Sequence, residues 1–125
     1  MLASLVRLAF RATDFLPFRL FDTTANSRHG GIIVFHRVGD SNGKNRLPEI
    51  QASEITPHYL ENLVLHLRKS GFTFVSLDTL HQCLTGKNSV SKPISLTFDD
   101  GYQDVLTHVY PILKRRRVPF TVYIT

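Results

Sequence analysis

Ile94-Ser95-Leu96-Thr97-Phe98-Asp99-Asp100-Gly101 is the stretch on which the reading of this 125-residue chain turns. Ile94, Leu96 and Phe98 alternate with Ser95 and Thr97 at the period of a short strand, which then stops on two acids and a glycine. Adjacent carboxylates repel each other and build no core, so packing gives little reason to put them there. A metal ion or an activated water gives a better one. Gly101 has access to backbone angles closed to other residues, so the chain can turn sharply and aim both acids at one spot. At the C-terminal end of a parallel strand, that spot is where α/β proteins keep their chemistry.

Working outward, Gly31 to His36 is an unbroken apolar run of strand length closed by a histidine, the pattern of a strand covered on both faces. A plain loop, Gly39 to Lys44, follows. Thr56 and Pro57 then open a helix whose inward face is Leu60, Leu63, Val64 and Leu67, and Arg68, Lys69 and Gly71 end it. Phe72 to Leu77 reads as a second strand, and Asp78 as the cap of a short helix running through Leu80 and Leu84 to Gly86. Beyond Gly101 a helix is expected with Val105, Val109, Ile112 and Leu113 inward, kinked or delayed by Pro111. Pro119 to Thr125 begins a fourth strand. Strands alternating with helices predict a right-handed parallel α/β sheet.

Composition bounds the remainder. The length allows one domain at most. A 42% hydrophobic, 20% charged chain is ordinary globular material rather than a disordered one. The lone Cys83 excludes an internal disulfide. Much of the net charge of +5 sits in Lys114-Arg115-Arg116-Arg117, which reads as a solvated helix end complementing the dipole. No aromatic ladder or nucleic-acid motif accompanies it, so no nucleic-acid partner is expected. Leu2, Leu5, Val6, Ala9 and Phe10 form the stripe of an amphipathic helix. Arg7 and Arg11 break any signal-peptide core, and the segment is too short and too charged to span a bilayer. Residues 1–30 are therefore read as an N-terminal amphipathic and loop segment, packed on the domain or touching anionic lipid peripherally through residues 1–21. The corresponding location is the cytoplasm or the periphery of the inner membrane.

Thr97-Phe98-Asp99-Asp100-Gly101-Tyr102, with Tyr110-Pro111-Ile112-Leu113-Lys114 and Pro119-Phe120-Thr121-Val122-Tyr123 downstream, resembles the first motif block of the polysaccharide deacetylases, carbohydrate esterase family four. Val34-Phe35-His36-Arg37-Val38 is similar to the opening strand of one branch of that family. The resemblance covers roughly residues 31–125. It implies a distorted (β/α) barrel of about seven or eight strands, of which this chain would hold the N-terminal half. Residues 31–125 are thus expected to be a partial deacetylase domain, truncated after its fourth strand.

The activity implied is removal of acetyl groups from N-acetylated or O-acetylated polysaccharide. That hydrolysis needs an activated water, a Lewis acid, a base and an acid for the leaving group. By resemblance, Asp99 matches the general base and Asp100 the carboxylate ligand of a divalent metal, usually zinc-like. His36 matches the general acid of the permuted branch. The bland alternatives are a loop or turn for Asp-Asp-Gly and a hydrogen-bonded strand-end histidine for His36. His29, His58, His66, His81 and His108 are expected on loops or helix surfaces. The family's paired-histidine metal motif and its arginine motif have no counterpart here, and one aspartate is too few ligands for a catalytic zinc. The chain is therefore expected to be inactive by itself and prone to self-association through an exposed sheet.

Other classes stay open at this point. A Mg²⁺-dependent phosphoryl-transfer or receiver-like domain also ends a strand on paired acids, though on its first strand rather than its third. A non-enzymatic remnant that binds sugar or a partner is the third reading. A glycosidase is disfavoured, because its carboxylates stand about 5–9.5 Å apart across the sugar, which neighbours in one tight turn seldom achieve.

Overall fold

A computed structural model describes residues 30–39 and 54–125. The expected amphipathic segment and the loop after Gly39 lie largely outside those residues. The element order is β1 (Gly31–Phe35), β2 (Arg37–Val38), β3 (Glu54–Ile55), α1 (Pro57–Lys69), β4 (Thr73–Phe74), α2 (Leu77–Leu84), β5 (Pro93–Phe98), a π-helical turn (Val105–Val109) running into α3 (Tyr110–Arg116), and β6 (Phe120–Val122).

The sheet is built on β5. Strand β1 pairs with it in parallel along its length, from Gly31 opposite Ile94 to Phe35 opposite Phe98. The other edge of β5 is shared: β4 pairs with Pro93 and Ile94, and β6 with Leu96 to Phe98, both in parallel. Every residue of β5 is buried, including Ser95 and Thr97, as the covered middle strand of a parallel sheet must be. Ser95 resolves its burial by donating its hydroxyl to the Val75 carbonyl at 2.8 Å. Phe35 stacks on Phe98 and Phe120 meets the same ring edge-on, so one aromatic cluster joins the C-terminal ends of β1 and β5 to the start of β6.

Helix α1 forms as its sequence dictates. The Thr56 hydroxyl accepts the Tyr59 N–H, Pro57 occupies the first turn, and Leu60, Leu63, Val64 and Leu67 are buried against the sheet. Each fully buried leucine contributes about 1.5–3 kcal/mol, which outweighs any propensity term. Gly71, at φ +83, turns the chain away from the helix.

Two expectations are corrected. The second strand is two residues long rather than six, because Ser76 leaves the sheet and accepts the Thr79 N–H as the cap of α2. Asp78 accordingly lies in the first turn of that helix and is not its cap. Pro111 stands in the first turn of the last α-helix, which begins only at Tyr110 after the π-helical turn, in line with a helix kinked or delayed by that proline. The wide π-helical turn ahead of it, in which Tyr110 N–H reaches the Val105 carbonyl, absorbs the donor that proline lacks. The four inward residues of that helix, Val105, Val109, Ile112 and Leu113, are buried as expected. The sequence also gave no sign of β2 and β3, a two-residue parallel pair that fastens the chain just after His36.

Candidate active site

The site lies where β1 and β5 end side by side. Because Phe35 and Phe98 are in register, the residues that follow them, His36 and Asp99-Asp100, emerge together at the C-terminal edge. The Asp99 N–H still donates to the Phe35 carbonyl at 2.9 Å, so Asp99 belongs to the sheet by its backbone. Asp100 is the first residue off it. Its φ is +71 and that of Gly101 is +63, so the turn is made by two left-handed residues, not by the glycine alone. Aspartate tolerates that region better than most side chains.

His36 Nδ1 stands 3.3 Å from Asp100 Oδ2, across 64 residues of sequence. An ionised carboxylate only accepts, so Nδ1 is the donor in this contact. The two side chains are 47% and 36% exposed, enough for a substrate to reach both. Asp99 is half-buried, and its carboxylate makes no hydrogen bond or ion pair with another described residue. Of the residues singled out from sequence, all three are thus brought to one edge, and His36 meets Asp100 rather than Asp99.

Sequence reasoning missed a second cluster directly beside them. Arg37 Nε donates to Asp104 Oδ2 at 2.8 Å, and its guanidinium lies 4.2 Å from the centre of the Tyr102 ring. The only sequence signal was position: one residue beyond His36, and one and three residues beyond Gly101. Of the other described histidines, His58 and His66 lie on α1, His81 on α2 and His108 on the π-helical turn.

As a metal site the arrangement is one corner. Asp100 can offer a carboxylate oxygen, but among the described residues no group of three His, Cys, Asp or Glu side chains could hold an ion. A catalytic zinc takes three protein ligands, so the others would have to come from elsewhere.

A sheet of parallel strands bearing paired aspartates and a histidine on adjacent C-terminal ends defines the candidate site of an α/β enzyme. Residues 86–125 match the polysaccharide deacetylase family model, and the proteins this chain is similar to are deacetylases. It is 31% identical over 94 residues to the poly-β-1,6-N-acetyl-D-glucosamine N-deacetylase of Escherichia coli K12, covering 73% of this chain and 13% of that protein. The structure resembles a de-N-acetylase from Aggregatibacter actinomycetemcomitans, with TM-score 0.62, 28% identity, and 74% of this chain and 36% of that one covered. It also resembles IcaB from Ammonifex degensii, with TM-score 0.64, 26% identity, and 77% and 38% covered. The chain therefore spans about an eighth of the curated relative and somewhat over a third of these structural ones. No helix among the described residues is long and apolar enough to cross a membrane.

Proposed function

We propose that this segment supplies the acid–base half of a metal-dependent polysaccharide deacetylase site that hydrolyses the amide of N-acetylated sugars. The observation that carries the reading is the meeting of His36 with the Asp99-Asp100 turn at the ends of two paired strands. Asp99, with a carboxylate unengaged by other described residues, is the base that takes a proton from water. His36, held through Nδ1, is the acid for the departing amine once its ring is doubly protonated, the second proton sitting on Nε2 and passing to the amine nitrogen. Asp100 would hold a divalent ion of zinc type, whose chemistry is to polarise the acetyl carbonyl and acidify water. The names of the relatives favour N-deacetylation and a polymer of N-acetylglucosamine as substrate. The half-sheet is read as part of a (β/α) barrel, and residues 31–125 as a partial domain preceded by a peripheral segment.

On this reading the 125-residue chain alone lacks the ligands to release acetate. The test is acetate release from N-acetylated glucosamine oligomers by a polypeptide joining this segment to a paired-histidine segment, supplied with zinc, cobalt or magnesium. Zinc- or cobalt-dependent release supports the proposal. Phosphate turnover with magnesium alone would replace it with the phosphoryl-transfer reading.

A further inference from the structure

We propose that Arg37 and Asp104 form a positioning pair that fixes the His36 ring against Asp100. The inference rests on reading His36 as the proton donor, and deepens it.

His36 is a single-residue bend between two strands, and its side chain is 47% exposed. Its neighbours are held firmly. Phe35 is buried in the aromatic stack, and Val38 is fully buried in the short ladder with β3. Arg37 is the remaining link, and it reaches across 67 residues to Asp104. Asp104 follows the Asp99-Asp100-Gly101 turn and leads into the π-helical turn. The contact therefore joins the histidine-bearing bend directly to the segment that carries the two acids.

The pair is placed to be rigid. Its side chains are only 22% and 9% exposed, so water competes weakly for the hydrogen bond. Tyr102 covers the guanidinium face and fixes its plane. Among the described residues Asp104 Oδ1 is buried without a partner, and Arg37 is the cation that compensates this carboxylate. A buried acid with one cationic partner cannot drift from it cheaply, and the bend carrying His36 is held with it.

The consequence is readable without any activity. An ordered His36–Asp100 contact holds the neutral ring as the Nδ1–H tautomer, whereas a free histidine prefers Nε2–H. Long-range ¹H–¹⁵N correlation spectra of the ¹⁵N-histidine-labelled chain, taken well above the histidine titration range, read the tautomer at each ring. The wild-type chain should show Nδ1–H at His36. Asp104→Asn, nearly isosteric, and Arg37→Ala should each lose that majority, and the double variant should go no further than either single one. The rings of His58, His66, His81 and His108 should be unchanged, a selectivity that a general loss of structure would not produce. An Nδ1–H tautomer kept in a folded Asp104→Asn chain, or an Nε2–H tautomer in the wild type, would overturn the proposal. Acetate assays bear separately on the deacetylase reading, so failure of one is distinguishable from failure of the other.

Discussion

The Asp99 amide donates to the Phe35 carbonyl at 2.9 Å, closing the ladder between β5 and β1 at the point where both strands give way to functional residues. This bond is the last of the register that brings His36 beside the acid pair. A slip of one residue would send His36 and the acids to different faces. The candidate site is therefore a property of strand pairing, and the side chains inherit it.

The roles of the two acids differ and can be separated. In an active polypeptide carrying this segment, Asp99→Asn should abolish acetate release and leave the metal bound, since the base acts on water. Asp100→Asn should lose metal affinity, because a neutral amide replaces a carboxylate ligand. Metal content and turnover measured on both variants check this. Equal metal loss in the two would reverse or merge the assignments.

Loss of the acid should depend on the leaving group. General acid catalysis contributes about 10²–10⁴-fold where an amine must be protonated as it departs. His36→Ala should thus cost at least ~100-fold on N-acetyl sugars and only a few-fold on activated aryl acetates. A uniform decrease on both substrates would mark His36 as structural.

Backbone strain at Asp100 predicts a pattern in stability. A residue at φ +71 without glycine's freedom is held there at a cost of about 1–2 kcal/mol for most side chains. Urea unfolding should rank Asp100→Gly and Asp100→Asn close to or above the parent, and Asp100→Ala about 1 kcal/mol below Asp100→Asn. A stable alanine variant would mean that the turn relaxes out of the left-handed region.

Glu61 predicts a pH dependence far from the site. It accepts from Arg115 at 2.8 Å and from Arg116 at 2.7 and 2.9 Å, and those hydrogen bonds hold its carboxyl below the ordinary glutamate value. A depressed folded-state pKa contributes stability that is present above the unfolded value, about 4.3, and is lost as the pH falls through the folded one. Replacing Glu61 with Gln should flatten that part of the acid unfolding profile and leave neutral-pH behaviour nearly unchanged, as expected of an exposed pair. Parallel profiles for parent and variant below that range would remove Glu61 from the acid response.

The 125-residue chain should self-associate. Among the described residues β6 pairs only with β5, and beside it Tyr123 and Ile124 are 51% and 83% exposed. An apolar, β-rich edge of that kind recruits further strands. Sedimentation velocity should find oligomers whose population falls when Ile124 is replaced by lysine; a monomer at all concentrations would refute it.

Local chemistry was legible in the sequence wherever one segment decided its own structure. Thr56, Pro57 and the four apolar residues of α1 specify a capped amphipathic helix without outside help, and the Ile94–Gly101 stretch announces a buried strand ending on acids. The second strand was overextended because Ser76 can end a strand or cap a helix, and only the hydrogen bond to Thr79 decides between them. What no local pattern carries is contact across long separations. That His36 faces Asp100, that Arg37 and Asp104 join the two halves of the site, and that Tyr102 covers the guanidinium all follow from pairing β1 with β5. Sequence determined which residues could do chemistry; the parallel register, fixed by burying Phe35 against Phe98, decided which of them meet.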